Sequence, residues 1–251
     1  MDTFFIGDTM YYGFDYTYIL FVLPAIILSI IAQISVKGSF SRFSKVMSKK
    51  GISGAQAAQF LLQKNGIYDV RIAHINGSLT DNYNPSTKVL SLSDSTYSST
   101  SIAAIGVAAH ETGHAIQHAT GYKALGLRST LVPAANIGSR FGPTLAILGI
   151  IFGNTAKVNE VFSIAQLITN IGIILFGIAV LFYLITLPVE FNASRRALKI
   201  LRDTNTLDKP ELSGVRKVLS AAAMTYVASA LTAIGSLLRL IILSNSKNSR
   251  R

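Results

Sequence analysis

His110-Glu111-Thr112-Gly113-His114-Ala115-Ile116-Gln117-His118 is the stretch around which the 251-residue chain is organised. It contains H-E-x-x-H inside a run that reads as a helix. Residues four apart lie on one helical face, so the imidazoles of His110 and His114 can converge on one tetrahedral metal ion. Glu111 then stands beside the ion, where a carboxylate can take a proton from water whose pKa the metal lowers to about 7. The flanks agree with a helix: Ser98 to Ser101 offer N-caps, Ile102 to Ala109 is helix-forming, and Gly121 is a stop.

Half of the residues are hydrophobic and 14% are charged, well below the roughly one quarter of a soluble domain, so a membrane protein is expected. With no cysteine, there is no disulfide framework, and a zinc site must use His, Asp or Glu. The net charge of +11 is the kind that attracts nucleic acid. Here the basic residues cluster beside apolar spans and no aromatic-interleaved nucleic-acid motif is present, so the charge reads as membrane topology and no nucleic-acid partner is expected.

Outward from the motif, Met1 to Asp15 carries Asp2, Asp8 and Asp15 and no Lys or Arg, and Tyr16 to Val36 is long and apolar enough to span a bilayer. It reads as an anchor, kinked at Pro24. It lacks the basic start and small-residue cleavage site of a signal peptide. Lys37, Arg42, Lys45, Lys49 and Lys50 follow, which puts the N-terminus outside and the next segment in the cytoplasm. Residues 37–130 are therefore expected to form a cytoplasmic, zincin-like region. Within it Ser53 and Gln56 resemble a capping box for a helix that Gly66 closes. Val70 to Ile75 reads as a strand, Asn82-Tyr83-Asn84-Pro85 as a turn, and Lys88 to Ser93 as a strand with one wet face, or an edge strand.

Beyond the motif, Leu131 to Phe152 is a weaker span interrupted by Pro133, Asn136, Arg140 and Pro143, with Arg140 snorkelling or facing other helices. Val161 to Val189 has no formal charge and is the strongest span. Together they make a hairpin, residues 131–189, with Lys157 and Glu160 in its loop. The hairpin returns the chain to the cytoplasm for residues 190–217. Lys37 to Arg128 holds 10 basic residues and this second loop 7, so the proposed cytoplasmic side carries 17 of 23. Val218 to Leu243 reads as a fourth span, which puts the basic tail ending Arg250-Arg251 outside. The positive-inside rule prefers that tail inside, so packing on the catalytic region is the alternative.

A catalytic zinc needs three protein ligands and an open position. His118 lies on the face of His110 and His114, but at about 1.5 Å of rise per residue it stands roughly 12 Å along the axis from His110, too far for one ion. It reads as a supporting, packed or surface histidine. His74 sits in a strand with no local motif. Glu190 is the only acidic residue between Glu160 and Asp203, at the cytoplasmic end of the strongest span. It is either the third ligand or an interfacial carboxylate paired with a base such as Arg195.

Ser53-Gly54 through Gly66, Leu79-Thr80-Asp81-Asn82-Tyr83-Asn84-Pro85, Gly106 to Gln117, and Pro188-Val189-Glu190-Phe191-Asn192-Ala193-Ser194-Arg195-Arg196 resemble the YugP-type membrane zinc metallopeptidases, the neutral zinc peptidases. The layout is also similar to HtpX-like and prenyl-protein proteases, where a membrane hairpin separates H-E-x-x-H from a helix bearing a glutamate ligand. The resemblance implies Glu190 as third ligand, and an edge strand, Lys88 to Ser93, that pairs with an extended peptide. Those relatives carry an Asp that braces a metal-binding His where this chain has Ser194, which leaves Ser194 and Asn192 as substitutes. The Tyr83 to Asn84 turn and Tyr226 are candidates for transition-state contacts.

The expectation is thus a mainly α-helical multi-pass membrane protein with a small α+β zincin-like catalytic domain, holding one Zn2+ on His110, His114 and Glu190. It is expected to cleave peptide or membrane-protein substrates at the cytoplasmic face, with Glu111 as general base and the lipid bilayer as its surroundings. The alternatives are a site-2-type intramembrane metalloprotease and a non-catalytic metal-binding scaffold. The apolar run before His110 is short and no Leu-Asp-Gly ligand motif occurs in a later span, both against the first alternative. Impermeant-reagent labelling of Gly113→Cys is the experiment that the sequence suggests for separating them.

Overall fold

The computed structural model describes residues 16–155 and 159–248. Asp2, Asp8 and Asp15, the loop residue Lys157 and the terminal Arg250-Arg251 lie outside the described residues. Contacts divide the protein into two compact units. One comprises residues up to 30, 130–184 and 228 onward; the other comprises Ile31–Ser129 and Ile185–Val227.

The second unit holds the motif. Its helix α2 (Gly54–Lys64) begins at the expected capping box: the Ser53 hydroxyl accepts from the Gln56 N–H, and the Gln56 side chain accepts from the Ser53 N–H. Gly66, at φ +69°, ends it. Strands β1 (Arg71–Ile75), β2 (Asn82–Asn84) and β3 (Val89–Ser93) form one sheet in the order β1-β3-β2, with β1 parallel and β2 antiparallel to β3. The short helix α3 (Asp94–Tyr97) leads into α4 (Ile102–Ala119), the motif helix. The Ser101 side chain caps α4 by accepting from the Ala104 N–H, and Gly121, at φ +63°, closes it.

Two expectations are corrected here. Asn82 to Asn84 is a strand, and the tight turn falls one step later, at residues 85–88, where the Asn84 side chain accepts the N–H groups of Ser86 and Thr87. Strand β3 is central and paired on both sides, so it is no edge strand. Alternation reported one buried face correctly, since Leu90 and Leu92 are fully buried. Which strands lie beside it depends on chain return, which alternation does not encode. Asp81 finishes the β3 end by accepting from the Ser93 N–H (2.8 Å) and Ser93 hydroxyl (2.9 Å). The core beneath joins Leu61 and Leu62 of α2, Leu90 and Leu92 of β3, and Ile102 and Ile105 of α4.

Four long helices carry the apolar sequence. A π-helical turn, Tyr18–Val22, leads into α1 (Leu23–Phe43) and ends two residues before Pro24. Proline lacks the N–H that a regular helix donates one turn back, so the winding change belongs there. The others are α5 (Lys123–Thr155), α6 (Asn159–Asp203) and α7 (Lys209–Asn248). Pro133 and Pro143 lie inside α5 without ending it, and Pro188 lies inside α6. In apolar surroundings a broken helix strands backbone groups with no water to pair them, so continuity wins. All four helices are long and apolar enough to cross a membrane.

In the first unit α5 and α6 approach at backbone distance. A Cβ on Gly142 would lie 2.7 Å from the Phe176 nitrogen, and one on Gly172 would lie 2.3 Å from the Ala146 nitrogen. Small residues permit such contact where lipid removes any hydrophobic drive for helix association. The outward faces stay apolar: Ile27 and Ile30 on α1, and Ile164, Leu167 and Ile174 on α6, are exposed. Arg140 is also exposed, its guanidinium 5.6 Å from the Phe141 ring centroid. Helix α7 contributes to both units, its residues up to 227 to the second and those from 228 to the first.

Candidate metal centre

Gly113 sits between the two motif histidines, on α4, where α6 crosses. A Cβ there would stand 2.6 Å from the Ala193 carbonyl oxygen, inside contact distance, so only glycine lets the backbones approach this closely. That approach brings Glu190 and Ser194 of α6 onto the histidine face of α4. His110 Nε2 lies 3.2 Å and His114 Nε2 lies 3.6 Å from Glu190 Oε2. Glu190 is 2% exposed. The crowding of Gly113 also rules it out as a labelling position: Gly113→Cys would push the helices apart before any reagent reported accessibility.

The rest of each ring is held from behind. Gln117, fully buried, donates from Nε2 to the Val189 carbonyl (2.8 Å) and to Asn192 Oδ1 (3.0 Å), while Arg196 Nε also donates to Asn192 Oδ1 (2.8 Å). Two acceptors facing Nε2 fix the amide, so its oxygen must face His114 Nδ1, 3.0 Å away. His114 therefore carries a proton on Nδ1, so Nε2, on the side of Glu190, is the nitrogen that could bind a metal. Ser194 Oγ lies 3.1 Å from His110 Nδ1. It occupies the bracing position that the sequence suggested for it, while Asn192 acts one step further out, through Gln117.

Glu111 is 8% exposed, and burial pushes its carboxyl up to about 7. Glu190 and Asp81 act in the same direction, while His110 and Arg128 oppose them. Arg128, on α5, places Nη1 3.3 Å from Glu190 Oε1, so the two oxygens of Glu190 have different neighbours: a guanidinium on one, both imidazoles on the other. Glu111 and His110 open onto a cavity that Tyr226 also lines.

The remaining predicted residues fall elsewhere. His118 Nδ1 is 2.8 Å from the Tyr83 hydroxyl, on β2, and is outside the cluster. His74 pairs with Asp94 (2.7 Å) beside the Tyr97 ring. Of the transition-state candidates, Tyr226 reaches the cavity, whereas Tyr83 is engaged by His118 and the Asn84 side chain holds the turn. Sequence reasoning gave no role to Gln117 or Arg128. The signal for Gln117 was available, since i+3 from His114 on a helix places it beside that ring. None marked Arg128, whose place depends on where α5 starts.

Two imidazole nitrogens and one carboxylate oxygen, all within 4.8 Å of one another, could hold a metal, and the His2Glu set is that of a catalytic zinc site. Among the described residues no other group of three such side chains is found. The fold and donor set are thus those of a mainly helical protein with four candidate membrane helices and a possible His2Glu metal site. Residues 18–245 match the family described as "Putative neutral zinc metallopeptidase", and the chain belongs to that family. It is 43% identical over 226 residues, 90% of this chain and 96% of the relative, to the "Putative membrane protease YugP" of Bacillus subtilis (strain 168). No solved structure matches the chain.

Proposed function

We propose that the protein is a zinc-dependent endopeptidase with four membrane-spanning helices, its N-terminus outside and its active site at the cytoplasmic face. The observation that carries this reading is the convergence of His110 Nε2, His114 Nε2 and Glu190 Oε2 with the Glu111 carboxyl beside them. These three side chains would hold one zinc ion, which when bound acts as a Lewis acid on a carbonyl and lowers the pKa of water to about 7. Glu111 takes the proton of the attacking water and passes it to the leaving amine nitrogen. Gln117 and Ser194 keep the two rings oriented. Arg128, on Oε1, keeps Glu190 turned so that Oε2 faces the rings.

Peptides and membrane proteins are the substrates of this reading, with the bilayer as the surroundings. An extended peptide can add only at an outer edge of the sheet. That edge is β2, because β2 packs on α4 and follows Asp81, which lines the cavity of Glu111. The zincin-like region is residues 37–130, the membrane hairpin 131–189, the segment bearing the third ligand 190–217, which is the end of α6 and the start of α7, and the fourth span 218–243. The 17 of 23 basic residues on the segments flanking the site support its cytoplasmic side.

The test is zinc content and peptide cleavage of purified wild type and Glu111→Gln. The variant is expected to bind zinc and to lose cleavage by about a hundredfold or more. Equal cleavage by both would remove Glu111 from the role of base.

A further inference from the structure

The cavity onto which Glu111 and His110 open has a volume of about 180 Å3. Its walls are apolar. Phe40 comes from α1, Val107 from α4 one turn before Glu111, and Val218, Leu219 and Ala222 from α7. Spacings of four place Val107 with Glu111 on one face of α4, and Val218, Ala222 and Tyr226 on one face of α7. The polar lining comes from Glu111 and His110 of α4, one turn beyond Val107, and from Thr225 and Tyr226 of α7, beyond Ala222. Asp81 also lines the cavity, but its two oxygens are engaged by Ser93.

Leu79 supplies a second, independent observation. It holds φ +58°, a left-handed conformation disfavoured for a bulky L side chain, and is 39% exposed while lining this cavity. A large apolar residue kept in a disfavoured conformation without being buried has a reason beyond core packing.

Resting on the peptidase reading, we infer that this cavity is the specificity pocket, and that it takes a large apolar side chain on the residue next to the scissile bond. An apolar cavity of about 150 Å3 is enough to hold benzene, so this one suits a leucine, methionine or phenylalanine side chain. A charged or strongly polar side chain entering it would leave water for walls that offer no partner. Glu111, which lines the cavity, sets the backbone of that residue beside it, and Leu79 closes over the bound side chain.

The experiment uses the full chain, zinc-loaded in detergent, and quenched-fluorescence peptides in which the residue on each side of the cleaved bond is varied in turn. Wild type is expected to favour Leu, Met or Phe over Gly and Asp at one of the two positions by about tenfold or more in kcat/KM. Ala222→Leu, whose added isopropyl group fills the cavity, is expected to reduce the Leu-over-Ala ratio by about tenfold or more. A ratio measured within one preparation does not depend on how much of it is folded. Leu79→Ala, which opens the wall, is expected to shift the preference from Leu toward Phe. Cleavage by wild type without an apolar preference at either position overturns the pocket while leaving the peptidase reading intact, as does a wild-type ratio in Ala222→Leu. Failure of wild type to cleave any of the peptides overturns the peptidase reading and the pocket with it.

Discussion

Gln117→Leu isolates the support behind one of the proposed metal ligands, His114. Leucine has nearly the volume of glutamine but offers no acceptor to the His114 Nδ1 proton, 3.0 Å away in the native protein. Asn192 Oδ1 keeps its bond from Arg196 Nε, so the imidazole is the group left stranded. A buried N–H without a partner costs about 1–3 kcal/mol. Loss of the outer partner of a metal-binding histidine typically lowers metal affinity 10- to 100-fold, which is about 1.4–2.7 kcal/mol. The two scales agree, and the weaker histidine is expected to raise the zinc dissociation constant by that factor. The assay is zinc competition against a chelator on stripped, detergent-purified protein, with secondary structure checked in parallel. Gln117→Glu keeps an acceptor at the same place and is expected to recover part of the affinity. A folded Gln117→Leu protein with wild-type zinc affinity would refute the orienting role of Gln117 and the tautomer deduced from it.

Gly113→Ala places a Cβ 2.6 Å from the Ala193 carbonyl oxygen. It should destabilise by about 1–3 kcal/mol, lowering both the thermal midpoint and the zinc content, whereas Gly126→Ala, where a Cβ meets nothing within 4 Å, should do neither. Glu111 provides a pH prediction for the metal-free protein. Its folded-state value, about 7, lies above the ordinary 4.5, so the penalty is absent below about pH 4.5, grows as pH rises and is complete above about 7. At about 1.4 kcal/mol per pH unit this amounts to roughly 3 kcal/mol. Metal-free Glu111→Gln should therefore melt above wild type at pH 8, with the gap closing toward pH 5; a gap that widened on acidification would contradict the assignment. Tyr68 is 78% exposed in the second unit, and the chain has no cysteine. Tyr68→Cys should react with an impermeant thiol reagent in inverted vesicles and not in intact cells; the opposite pattern would reverse the topology.

The sequence by itself determined everything that depends on local spacing. H-E-x-x-H at helical spacing assigned His110 and His114 to one face with Glu111 beside them, Ser53 and Gln56 wrote their own capping box, and the long apolar runs were long enough to cross a bilayer. It also excluded His118 from a shared ion, because helical rise is a local constant. Only the tertiary structure decided which distant groups come to the two histidines. Glu190 was legible as a candidate from its solitary place in the chain, yet its position rests on the contact between Gly113 and Ala193, 80 residues apart in sequence. Arg128 and the wall of Val218, Leu219 and Ala222 carry no local mark, since their roles come from where α5 and α7 pass. Strand order was equally hidden: the alternation of Val89 to Ser93 reports which side chains are buried, and says nothing of the strands hydrogen-bonded on either side. Periodicity records a residue's own environment, whereas a site is made by the return of other segments to it.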